Sequence, residues 1–145
     1  MNIGVLGLGY VGIVNVACLS KLGYTVLCND VKPFKVAAVR NGKSPINEPE
    51  VEELIQKGIE NGTVVPMDSA AELIQQSDVI ITCVGTPSKE TGEVNLDYLR
   101  NVIKEIAANV DPKKSVYLVC RSTVPPGTTE SIFNRYLQNL SLIHI

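Results

Sequence analysis

The sequence predicts an α/β fold, a doubly wound parallel sheet with helices on both faces. Short apolar runs alternate with segments of helical periodicity along the chain, the signature of strands joined by crossover helices. Residues 79–84 are apolar without polar alternation, as a strand covered on both faces requires. A glycine cluster, Gly7, Gly9 and Gly12, stands between the first apolar run and the first helical segment.

Taken in order, residues 3–6 read as the first strand, followed by a helix expected to bury Val11, Val14, Ala17, Cys18 and Leu22. Gly23 supplies its stop, and Thr25–Asn29 is the second strand. Pro33 suits the first turn of a helix carrying Val36 and Val39, which Asn41 and Gly42 close. Pro49 opens another helix, with Val51, Leu54, Ile55 and Ile59 on one face. The acidic first turn of that helix (Glu50, Glu52, Glu53) suits the positive end of its dipole. A short strand at 63–65 and a short helix at Ala70–Gln76 precede the fourth strand. Leu96, Leu99, Ile103, Ile106 and Val110 then recur at amphipathic spacing. Val116–Cys120 is the fifth strand, and a last helix begins near Thr128.

The 145 residues suffice for one domain. A formal net charge of −2 leaves no basic face for nucleic acid, and 45% apolar against 19% charged residues supports a core rather than disorder. The one histidine, His144, stands near the end, so neither a histidine base nor a metal cage is expected. Cys18, Cys28, Cys83 and Cys120 form no CxxC pair; each lies in an apolar run and reads as a buried, reduced thiol, which fits the cytoplasm. The charge-free stretch 1–20 lacks a basic start and is broken by glycines. It reads as a strand entering a helix, with no membrane association.

Gly7, Gly9 and Gly12 form G-x-G-x-x-G in the context that gives the pattern its meaning. The first glycine permits the tight turn, the second lets a pyrophosphate approach the backbone, and the third lets helix and strand pack closely. Free N–H groups of the helix start then face the phosphates. Asp30 follows the second strand, where a carboxylate would accept from both hydroxyls of a ribose and repel the 2′-phosphate of NADP. Its other reading is a cap on the helix near Pro33. Lys35 reads either as facing the adenosine or diphosphate side or as solvated. Two polar loops follow strands four and five, Val84-Gly85-Thr86-Pro87-Ser88 and Ser122-Thr123-Val124-Pro125-Pro126-Gly127-Thr128. Ligands bind at such strand ends in open α/β sheets, while ordinary turn chemistry with Thr128 as a cap is the alternative.

G-L-G-Y-V-G, N-G-K-S-P-I-N-E-P, V-G-T-P-S and S-T-V-P-P-G-T, in this order, resemble the UDP-glucose/GDP-mannose dehydrogenase family. The resemblance implies a Rossmann-type fold and the cofactor NAD. It implies that Gly7, Gly9, Tyr10, Val11, Gly12, Asp30, Lys35, Thr86 and Thr123 bind the cofactor, with Thr123 also placed beside the reacting centre as an auxiliary catalytic group. Members oxidise the C6 hydroxyl of a nucleotide sugar to a carboxylate with two NAD in succession, through a cysteine nucleophile. UDP-glucose to UDP-glucuronate is the leading expectation and GDP-mannose the alternative, with a non-catalytic NAD-sensing domain a further reading. Such activity serves polysaccharide biosynthesis, and family members are expected to be homo-oligomers.

The family's cysteine motif has no counterpart in these residues. The expectation is therefore a truncated NAD-binding domain over 1–139, five of six strands, without the central and C-terminal substrate domains and inactive alone. Residues 140–145 match what CTG TCT CTT ATA CAC ATC encodes, a string resembling a sequencing-library adaptor, and are expected to be a foreign tail.

Overall fold

The computed structural model describes residues 1–137 and the backbone of 142–144. The elements are β1 (Asn2–Leu6), α1 (Tyr10–Lys21), β2 (Thr25–Asn29), α2 (Pro33–Arg40), α3 (Pro49–Glu60) and β3 (Val64–Pro66). They continue with α4 (Ala70–Gln76), β4 (Val79–Thr82), α5 (Asp97–Asn109), β5 (Val116–Cys120), α6 (Thr128–Leu137) and β6 (Leu142–His144). The strands form one parallel sheet in the order β3-β2-β1-β4-β5-β6. The chain runs outward from β1 to β3, then returns to place β4 on the other side of β1. That reversal opens a crevice above the carboxyl ends of β1 and β4, the point at which open α/β sheets bind ligands.

The doubly wound parallel fold is the one the sequence predicts, and its five expected strands are all present. A further strand, β6, pairs with β5 through Val116↔Leu142 and Leu118↔His144, so the described sheet has six strands rather than five. Its three residues are too few to register as a periodic strand in the sequence. The expectation of a foreign tail falls partly on 140, 141 and 145, which lie outside the described residues.

One face of the sheet packs Val5, Val26 and Cys28 against Ile13 and Val16 of α1, Val36 and Val39 of α2, and Ile55 of α3. The other packs Leu6, Leu27, Ile80 and Leu118 against Leu73 and Ile74 of α4, Leu99, Ile103 and Ile106 of α5, and Phe133 of α6. Complete burial of each such side chain contributes about 1.5–3 kcal/mol.

Helix α1 is rotated from the expected face. It buries Gly12, Ile13, Val16, Ala17 and Ser20, while Val11, Cys18 and Leu22 are exposed. The helix carries one charge, Lys21 at its last position, too little to fix its rotation, and the fit of Gly12 against the Gly7 turn fixes it instead. The thiols divide accordingly: Cys28 and Cys83 are buried, Cys120 is half-buried and Cys18 is exposed. Strand β4 ends at Thr82, which releases Cys83 and Val84 into the loop above the sheet.

At the amino end of the sheet, the Asp78 carboxylate accepts from the Asn2 backbone N–H at 2.8 Å and pairs with Lys114 Nζ at 3.0 Å. The Asn2 N–H, then Lys114, hold its carboxyl below the ordinary range. A depressed folded-state value contributes stability above the unfolded value, lost as pH falls through the folded one. Asp78→Ala is expected to cost about 1 kcal/mol at neutral pH, since its partners are partly solvated. In urea titrations that difference should shrink below about pH 4, near the ordinary Asp value; a difference independent of pH would contradict the assignment.

Candidate functional site

The crevice is a cleft of about 620 Å³ whose walls include Gly7, Gly9, Asp30, Lys35 and Gly85, within the usual range of about 300–1,000 Å³ for small-ligand sites. Its floor is the glycine turn. Gly7 has φ +102°, the left-handed region that favours glycine, and a Cβ there would lie 2.8 Å from the Cys83 carbonyl oxygen. A Cβ on Gly12 would overlap the Gly7 carbonyl oxygen. These two glycines therefore serve the packing of the turn itself.

Gly9 is different. Its φ of −75° suits any residue, and a Cβ there would meet no protein atom within 4 Å. Packing within the chain does not demand a glycine at this position, whereas a ligand lying on the backbone does. Gly9 is also the N-cap of α1, with no side-chain cap and no acidic residue in the first turn. The helix thus presents first-turn N–H groups and its positive dipole end, a combination suited to a diphosphate.

Asp30, just past β2, has its side chain 8% exposed. It accepts from Leu8 N–H at 2.6 Å and Lys32 N–H at 2.9 Å, and Lys35 Nζ lies 3.4 Å away. Asp30 does not cap α2, whose N-cap Lys32 has no side-chain cap bond; it accepts from the Lys32 N–H just before the helix and lines the cleft. A carboxylate has about four acceptor sites, and three of those on Asp30 face donors of the chain. Lys35 is half-buried against Asp30 rather than freely solvated.

Tyr10 and Val11, in the first turn of α1, are exposed and do not line the cleft. The Tyr10 hydroxyl donates to Glu48 Oε1 at 3.2 Å, and the nearby Glu48 charge raises the phenol above its ordinary value. Thr86 and Thr123 also lie outside the cleft lining, but their loops are locked together. Thr86 Oγ1 donates to the Thr123 carbonyl at 2.7 Å, and Ser122 Oγ donates to the Val84 carbonyl at 2.7 Å. These reciprocal bonds hold the two polar loops side by side beyond β4 and β5. The Thr123 hydroxyl itself has no hydrogen-bond partner among the described residues.

Burial pushes the Cys83 thiol up to about 11 and the Cys28 thiol up to about 12. Neither offers a thiolate nucleophile near neutral pH. Among the described residues no cluster of His, Cys, Asp or Glu is arranged to hold a metal, and no helix is long and apolar enough to cross a membrane.

Sequence reading missed the second wall. Val31, Ala70, Tyr98, Asn101, Val102 and Glu105 also line the cleft. On α5, residues 98, 101, 102 and 105 follow the same helical spacing as the core stripe and lie beside it, which is the signal that was available.

Strand order, glycine turn and terminal carboxylate together define a dinucleotide-binding domain. Residues 1–143 match the model of the UDP-glucose/GDP-mannose dehydrogenase family, NAD binding domain. The chain belongs to that family, and its cofactor is NAD. It is 43% identical over 142 residues to a GDP-mannose 6-dehydrogenase of Pseudomonas savastanoi pv. phaseolicola, covering 97% of this chain and 32% of that protein. It is 39% identical over 141 residues to a UDP-glucose 6-dehydrogenase of Bacillus subtilis, covering 97% and 32%. A solved ternary complex of a GDP-mannose dehydrogenase from Pseudomonas aeruginosa superposes with TM-score 0.94 at 36% identity, covering 99% of this chain and 35% of that one. The chain thus spans about a third of the length of these relatives.

The two kinds of glycine are separable by experiment. Gly12→Ala should destabilise the fold by about 1–3 kcal/mol through overpacking. Gly9→Ala should leave the urea midpoint unchanged while weakening NAD binding at least about tenfold, because its methyl would stand where the diphosphate approaches. Unaltered NAD affinity in Gly9→Ala would remove the turn from the site.

Proposed function

We propose that the chain is the NAD-binding part of a nucleotide-sugar 6-dehydrogenase, which oxidises the C6 hydroxyl of a nucleotide sugar to a carboxylate. The observation that carries this reading is Gly9, open to the cleft beside Asp30 in a chain of this family. The 43% relative is named for GDP-mannose and the 39% relative for UDP-glucose. That order favours GDP-mannose as the first substrate to test and UDP-glucose as the second, the reverse of the order expected from the family resemblance.

Bound NAD supplies the two-electron acceptor. In this proposal the α1 start, at Gly9, Tyr10, Val11 and Gly12, holds the diphosphate by backbone N–H groups, on the turn that Gly7 shapes. Asp30 accepts from the adenosine ribose, and Lys35, 3.4 Å away, orients that carboxylate. Thr86 and Ser122 fix the paired loops, so that the free hydroxyl of Thr123 stands ready to orient a substrate oxygen or a water. Cys28 and Cys83 have no nucleophilic role in this proposal, because burial favours their neutral thiols.

Two outcomes follow. Asp30→Ala should weaken NAD binding by about 1.5–3 kcal/mol, the scale of a hydrogen bond to a charged group, as measured by calorimetry; unchanged affinity removes Asp30 from the site. The chain on its own should bind NAD yet produce no NADH with GDP-mannose or UDP-glucose. Sustained NADH absorbance would show that it carries a complete active site.

A further inference from the structure

We infer that Glu105 is a specificity residue of the cofactor site, reading the amino group on the six-membered ring of adenine. The inference rests on the NAD reading and extends it to a residue on which neither the glycine motif nor the polar loops bear. Beyond Asp30 the main cleft meets a smaller cavity of about 300 Å³, and the two share the walls Asn29, Asp30, Val31, Ala70 and Glu105. Glu105 is the one α5 residue that lines both. With the diphosphate over Gly9 and the ribose at Asp30, the base leaves the ribose toward this shared wall.

The wall suits a flat, neutral, hydrogen-donating ring. Val31 is 86% exposed despite being apolar, and with Ala70 and Val102 it supplies surfaces on which a base can lie. The charged residues lining the smaller cavity are carboxylates: Asp30, already engaged by Leu8, Lys32 and Lys35; Asp68, paired with Arg40 at 2.9 Å; and Glu105, whereas the cations Lys32 and Lys35 line only the main cleft. The Glu105 carboxylate has no hydrogen-bond or ion-pair partner among the described residues. A free acceptor in an acidic wall selects an N–H donor and disfavours a carbonyl or a phosphate. Adenine presents an exocyclic amine at that edge, whereas hypoxanthine presents a carbonyl whose lone pairs would oppose the carboxylate.

The test compares NAD with its hypoxanthine analogue, nicotinamide hypoxanthine dinucleotide, by calorimetric titration of the whole chain. The unmodified chain should bind NAD at least about tenfold more tightly, the scale of a hydrogen bond to a charged group. Glu105→Ala should reduce that ratio to near one mainly by weakening NAD binding. Glu105→Gln, whose amide can donate, should strengthen binding of the analogue relative to the unmodified chain. Both are surface changes on α5, and circular dichroism checks that each variant is folded. An unchanged ratio in a folded Glu105→Ala overturns the inference while leaving the NAD site standing. Binding of neither dinucleotide by the folded, unmodified chain overturns the NAD reading, and this inference with it.

Discussion

The hydrogen bond from Leu8 N–H to the Asp30 carboxylate, 2.6 Å long, ties the glycine turn to the end of β2. The Leu8 side chain is completely buried, so the turn is held from below by packing and from the side by a charged acceptor. Gly7 adds a backbone bond to the Asn29 carbonyl at 2.9 Å, extending the β1–β2 ladder into the turn. Gly12 then seats α1 directly on that turn. The start of a helix, the end of a strand and a carboxylate are thereby fixed in one place before any ligand arrives, which lowers the ordering cost of binding.

The other half of the crevice is built differently. Above β4 and β5 the backbone leaves the sheet, and side-chain hydroxyls take over its organisation: Ser122 on Val84 and Thr86 on Thr123. Regular hydrogen bonding has ended there, so polar atoms become available to a substrate while the loops keep a defined spacing. The Cys83 thiol nearby stays silent because burial favours its neutral form.

Much of this was legible in the sequence because the constraints are local. A glycine needed for a turn, a carboxylate at a strand end and a proline in a first turn each leave a mark at their own positions. The strands at Thr25–Asn29 and Val116–Cys120 and the helix at Ala70–Gln76 end where their residues change character. What escaped depends on tertiary fit. The rotation of α1, and with it the exposure of Val11 and Cys18, is set by Gly12 meeting Gly7, a contact invisible to periodicity. Glu105 sits on an ordinary amphipathic helix and gains its meaning only from Val31 and Asp30 across the cleft. The Tyr10–Glu48 bond joins residues 38 apart in the chain. Strand β6 depends on β5 beside it.

If the preformed turn anchored on Asp30 receives the cofactor, a crystal structure of the chain with NAD should show the diphosphate against the backbone at Gly9 and the α1 start. A ribose hydroxyl should lie on Asp30, with little movement of residues 6–12. NAD seated elsewhere, or a glycine turn that must rebuild to admit it, would rule out that role for the turn.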